Sequence, residues 1–181
     1  MTRVTTYIDG FNLEYGLKQA ASTHSDWQQF FWLDFVKFFE HFTPNQNLQK
    51  VYYFSAPPIN TQKRNRQTLL LKANRLINGC RFEYILGKYY EKEVECPLCN
   101  SPYTVFEEKR TDVNISVQMM RDCAQDNTDV LILVSADSDL IPPLSAILKD
   151  YPNKKIIVCF PPNRFSNDIN NFMKRNKSNV I

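Results

Sequence analysis

Two runs of five consecutive apolar residues, Val130-Leu131-Ile132-Leu133-Val134 and Ile156-Ile157-Val158-Cys159-Phe160, constrain the fold more than any other feature of the chain. A strand with one wet face alternates polar and apolar side chains. An unbroken apolar run rich in Val and Ile belongs to a strand covered on both faces, as in a parallel sheet packed between helices. Residues 4–8, 51–54 and 82–86 are further short β-rich segments, each ended by Gly, Pro or a turn.

Between these strands lie stretches with helical spacing. Residues 27–42 carry Leu33, Val36 and Phe39 behind Asp34, and residues 61–77 carry Leu69, Leu70, Ala73 and Ile77. From Asp112 to Cys123 the set Val113, Val117 and Met120, with Ile115, Met119 and Cys123, predicts a helix buried on much of its circumference. A helix through Ile147 and a short basic tail helix complete the alternation. Alternating strand and helix implies an α/β sandwich with a central, mainly parallel sheet. Residues 87–108, β-rich around Cys96-Pro97-Leu98-Cys99, read as an inserted hairpin, and 181 residues suit one domain spanning 1–181.

In an open parallel sheet, ligands gather at the carboxyl ends of the strands. Two of the strands end in acid: Ile8-Asp9, and Val134 followed by Ser135-Ala136-Asp137. Asp112, at the start of a helix, can face the same edge. Three carboxylates brought together repel one another unless a cation lies between them, and hard oxygen donors favour Mg2+ or Mn2+. Such an ion orients a phosphodiester and helps to deprotonate water. Asn12 is placed to hold water or substrate, while Ser135 and Asp139 can orient Asp137. Taken singly, each acid also fits a bland role, as a turn residue or helix cap.

Three segments carrying these residues, Tyr-Ile-Asp-Gly-Phe-Asn (7–12), Lys-Arg-Thr-Asp-Val-Asn-Ile (109–115) and Leu-Val-Ser-Ala-Asp-Ser-Asp-Leu (133–140), resemble the signatures of NYN domains in the LabA-like branch of the PIN-like nuclease superfamily. The resemblance runs in order along nearly the whole chain. It implies a PIN-like three-layer sandwich and Mg- or Mn-dependent cleavage of RNA, with Asp9, Asn12, Asp112, Asp137 and Asp139 as catalytic positions. Gln118 stands where many relatives carry a further acid, and Ala136 where they usually carry glycine. Gln118 motivates an alternative reading, an RNA-binding or regulatory module of the same fold without turnover.

A basic helix face after Pro58, with Lys63, Arg64, Arg66, Lys72 and Arg75, is either a solvated surface or a set of phosphate contacts. With Ser135, the residues Lys63, Arg64 and Arg66 are the candidate substrate contacts. Tyr89, Tyr90 and Tyr103 can stack on the bases of single-stranded RNA or pack the hairpin. The pair Cys96 and Cys99 has the spacing of half a zinc site. Its closure would need Cys80, His24 or His41, or the same pair from a homodimer partner; the competing readings are reduced surface thiols and redox chemistry. Five cysteines and no export signal argue against a disulfide framework, and no apolar run is long enough to span a membrane. The cytoplasm is therefore the expected compartment. Net charge of +3 identifies no partner.

Overall fold

In the computed structural model, which describes residues 1–180, the strands are β1 (Arg3–Asp9), β2 (Asn47–Ser55), β3 (Phe82–Leu86), β4 (Lys88–Glu95), β5 (Pro102–Lys109), β6 (Val130–Val134) and β7 (Lys155–Cys159). Five of them form a sheet in the order β3-β2-β1-β6-β7, and every pairing in it is parallel. The apolar run of β6 is buried at all five positions, since it lies inside the sheet with helices on both faces. The second run lies in edge strand β7, where Ile156 and Val158 are buried while Ile157 and Cys159 are partly exposed. β4 and β5 pair antiparallel as a separate ribbon whose turn holds Cys96 and Cys99.

Helices α1 (Gly10–Thr23), α2 (Phe35–Phe42), α3 (Thr61–Asn78), α4 (Thr111–Ala124), α5 (Ile141–Asp150) and α6 (Asn167–Arg175) cover the sheet. On one face Tyr7, Tyr52, Leu131, Leu133 and Ile156 pack with Ile115 and Met119 of α4, Leu144 and Ile147 of α5, and Ile169 of α6. On the other, Val4, Ile8, Val51 and Ile132 pack with Phe35, Val36 and Phe39 of α2, Leu71 of α3 and Leu13 of α1. Helices on both faces of one parallel sheet make the chain an α/β protein in three layers.

Three helical expectations are corrected by polar groups that hydrophobic periodicity does not register. Residues 27–42 do not form one helix: a 3-10 segment, Ser25–Trp32, ends at extended Leu33 before α2 begins. Asp34 forces the break because its carboxylate caps α2, accepting the Lys37 N–H at 3.2 Å. In α3 the buried residues are Gln67, Leu71 and Asn74, whereas Leu69 and Ile77 are exposed. Asn74 fixes this rotation: its Oδ1 accepts the Phe35 N–H at 2.9 Å and its Nδ2 donates to the Leu33 carbonyl at 3.0 Å. In α4, Val113 and Val117 face solvent while Ile115, Gln118, Met119, Asp122 and Cys123 are buried. Here the Tyr7 hydroxyl donates to Asp122 at 2.8 Å, tying the helix to β1.

This placement separates two leucines of one helix. Leu71→Ala removes a 2% exposed side chain and should cost about 2–5 kcal/mol, whereas Leu76→Ala, at 86% exposure, should stay within about 0.5 kcal/mol of the parent. Chemical denaturation of both variants measures the difference, and equal losses would contradict the rotation of α3.

Candidate active site

The connections from β1 and β6 leave in opposite directions. β1 leads through α1 toward β2, β6 leads through α5 to β7 on the other side, and β1 and β6 are neighbours. A crevice opens at the carboxyl ends of such a pair, because the following helices lie on opposite faces. Ile8 pairs with Val134, so the next residues along each strand, Asp9 and Ser135, emerge side by side.

Asp9 is 2% exposed and caps α1 directly, with no intervening loop. Its Oδ1 accepts the Asn12 backbone N–H at 3.0 Å, and its Oδ2 accepts from Asn12 Nδ2 at 2.6 Å and from the Ser135 hydroxyl at 2.8 Å. Burial, with the charge of Asp137, holds the Asp9 carboxyl above its ordinary value, and these hydrogen bonds offset only part of that rise. Gly10 is required next to it, because a Cβ there would lie 2.5 Å from the Tyr53 ring and 2.6 Å from the Phe54 carbonyl.

Ser135 joins the two strand ends: the hydroxyl that donates to Asp9 also accepts the Asp137 N–H at 3.0 Å. Asp137 in turn caps a 3-10 turn, Ser138–Leu140, by accepting the Asp139 N–H at 3.0 Å. Ala136 causes no strain, since it is absent from the residues with positive φ. The carboxylate of Asp112, the second residue of α4, accepts no hydrogen bond among the described residues; its backbone carbonyl accepts from the Ser116 hydroxyl at 2.7 Å. Burial and then the charges of Asp137, Asp9, Glu108 and Asp139 push its carboxyl up to about 6.

The crevice therefore places Asp9, Asn12, Ser135 and Asp137 in one hydrogen-bonded chain, and sets Asp112 in the field of Asp9, Asp137 and exposed Asp139. Among the described residues, no three His, Cys, Asp or Glu side chains form a group that could hold a metal ion as they stand. The donor chemistry nonetheless fits a hard cation, because the three acids offer only oxygen and one carboxylate has no hydrogen-bond donor beside it.

The structure gives two of the expected substrate contacts partners within the chain. Ser135 is 0% exposed and supports Asp9 and Asp137 from beneath. Arg64 turns its guanidinium onto the loop before its helix, donating to the carbonyls of Pro58 at 2.8 Å and Ile59 at 3.1 Å. Lys63 lines a cavity of about 560 Å3 beside Asn12. Lys63 and Arg66 both line a neighbouring cavity of about 400 Å3. Gln118 lies away from the acids, donating through Nε2 to the Tyr52 hydroxyl at 3.1 Å and to both Asp122 oxygens at 3.2 Å.

At the hairpin tip, the Ser101 side chain and backbone, then Cys96, hold the Cys99 thiol below its ordinary value. Among the described residues, neither Cys80 nor His24 nor His41 joins Cys96 and Cys99 in a set of three ligands. A closed zinc site there would need ligands from a second copy of the chain.

The structure also brings in residues that motif reading passes over. Glu108, at the end of β5, accepts from the Thr111 hydroxyl at 2.6 Å and its N–H at 3.2 Å, anchoring the start of α4 beside Asp112. Its signal was the spacing Glu-x-x-Thr just ahead of the helix. Arg164, in the loop after β7, donates to Asn12 Oδ1 at 3.4 Å and lies 5.0 Å over the Tyr15 ring. An isolated arginine in a loop has no periodic signature. Tyr89 of the hairpin meets Phe11 edge-on at 6.3 Å and lines the cavity beside Asn12.

The model of the NYN domain family matches residues 3–175 of the chain. A crystal structure of a Vibrio parahaemolyticus protein of unknown function is similar in fold, with a TM-score of 0.60, 19% sequence identity, and coverage of 94% of this chain and 88% of that one. No curated protein matches the sequence.

The raised Asp112 carboxyl has a consequence for stability in the absence of metal. The folded chain holds this proton up to about pH 6, against an ordinary value of 3.8, so stability falls as pH rises through that window. Each unit is about 1.4 kcal/mol, and solvent screening at this half-buried position reduces the effect to about 1–2 kcal/mol. Asp112→Asn should therefore be more stable than the parent by that amount at neutral pH in EDTA. Thermal melts across the window would show parallel curves for the two proteins if the account is incorrect.

Proposed function

Because the chain belongs to the NYN domain family of the PIN-like nuclease superfamily, we propose that it is a divalent-metal-dependent ribonuclease acting at the crevice between β1 and β6. The observation that carries the proposal is the gathering of Asp9, Asp112 and Asp137 at the sheet's switch point, where burial and then the neighbouring acids push the Asp112 carboxyl up to about 6. A cation there would relieve a repulsion that folding has already imposed.

Asp9, Asp112 and Asp137 are the residues that would hold Mg2+ or Mn2+, which supplies polarisation of a phosphodiester and activation of water. The chain's own groups prepare the rest. Ser135 and Asn12 fix the Asp9 carboxylate in one orientation, so its charge does not have to reorganise during reaction. Asp139 adds negative charge at the rim and its N–H steadies Asp137. Arg164, beside Asn12, and Lys63, across the same cavity, are positioned to receive the flanking phosphates of a single strand.

The alternative of a module without turnover drew on Gln118. Its amide is a donor to buried Asp122, where a second carboxylate would add repulsion, so a structural role accounts for the amide at this position.

Purified protein with Mn2+ should cleave labelled single-stranded RNA and lose the activity in EDTA. Asp137→Asn, which keeps a polar group of the same shape, should lower the rate by about 100-fold or more. Cleavage by that variant at the parent's rate would refute the proposal. Parallel assays on single-stranded DNA would establish whether the sugar matters.

A further inference from the structure

We propose that the cavity between α1, the Ser25–Trp32 segment and α3 receives one base of the single strand whose backbone lies in the crevice. The cavity measures about 400 Å3, within the range that accommodates a small organic ligand. Partly exposed Phe30 and Phe31 and exposed Trp32 line it, together with the core residues Phe35 and Tyr53. Trp32 is 58% exposed. A surface indole that packs little of the core is available to stack on a base.

Charge selects a nucleotide over an apolar side chain as the occupant. Lys18, Lys63 and Arg66 stand at the rim; Lys18 pairs with Glu14, whereas Lys63 and Arg66 form no ion pair among the described residues. Those two cations complement the phosphates on either side of an inserted base. Gln67 supplies a polar group to the lining. Its Nε2 is committed to the Ser55 hydroxyl at 2.9 Å, and its Oε1 accepts nothing among the described residues. Every nucleobase carries an N–H that can meet such an acceptor.

Position links the cavity to the reaction centre. It shares Glu14, Lys18 and Lys63 with the larger cavity that touches Asn12, Tyr89 and Arg164. A strand crossing the acids would run past Arg164 and Lys63 and turn one base into the aromatic cavity. The inference rests on the reading of the crevice as a ribonuclease centre, and it adds that the enzyme grips a nucleotide away from the bond it cuts.

The test uses the full chain and a short single-stranded RNA in EDTA, with binding followed by fluorescence anisotropy. The same RNA is also prepared with one abasic residue stepped along its length. Trp32→Ala should weaken binding about tenfold, and Trp32→Phe should restore most of it. One abasic position should weaken the parent by a similar factor and leave Trp32→Ala unaffected, because both changes delete the same contact. Lys63→Ala should flatten the salt dependence of binding.

Abasic losses that add to the loss from Trp32→Ala, or parent-like binding by that variant at unchanged melting temperature, overturn the proposal. So does a parent protein that binds no RNA. Cleavage in Mn2+ separates the two readings. Cleavage by Trp32→Ala at unchanged KM leaves the ribonuclease and removes the cavity; base-dependent binding without cleavage supports the cavity and removes the ribonuclease.

Discussion

The parallel pairing of β1 with β6 is the constraint on which the remaining structure depends. It sets Ile8 opposite Val134, so that Asp9 and Ser135 leave the sheet at the same level and a single hydroxyl can touch both Asp9 and the backbone of Asp137. A slip of one residue would point Asp9 to the opposite face and break that link. The register is held by burial. β6 has no exposed side chain, and Tyr7 and Ile8 are both at 0% exposure on opposite faces. At the other end of the same strands, Arg3 binds Asp129 at 2.6 Å, which further opposes sliding.

Fixing this register imposes an electrostatic cost that the core must support. Asp9 is buried, Asp112 is pushed up to about 6, and both lie in the field of Asp137. An isolated buried carboxylate would simply take up a proton. Asp9 is instead held by three hydrogen bonds, two of them from Asn12, and it caps a helix whose N-terminus favours negative charge. Asp112 lacks comparable partners. The site therefore combines one acid held by hydrogen bonds with one raised by burial and by the charges of its neighbours; under the proposed function a cation supplies the missing counter-charge.

Much of this was legible in the chain because the governing signals are local. Continuous apolar runs marked the covered sheet, and Asp9 after Ile8 and Asp137 after Val134-Ser135-Ala136 marked the ends of two strands, which the structure makes neighbours. What escaped the sequence was set by long-range polar contacts. The rotation of α3 follows from Asn74 reaching Phe35, and that of α4 from Asp122 meeting Tyr7, partners 39 and 115 residues away. An apolar stripe cannot report either bond. Arg164 is 152 residues from Asn12, and only the return of the chain after β7 brings them together. Gln118 illustrates the opposite case: a departure from a motif that reads as a missing acid proves to be a donor in a buried network.

Under the proposed function, Asp9, Asp112 and Asp137 share one hard cation. A manganese-soaked crystal, examined by anomalous scattering, tests it most directly. A peak in contact with all three carboxylates is expected, at roughly the 2.0–2.2 Å typical of oxygen ligands to a small divalent ion. An intact fold with no peak between them, or with manganese bound only elsewhere, would contradict it.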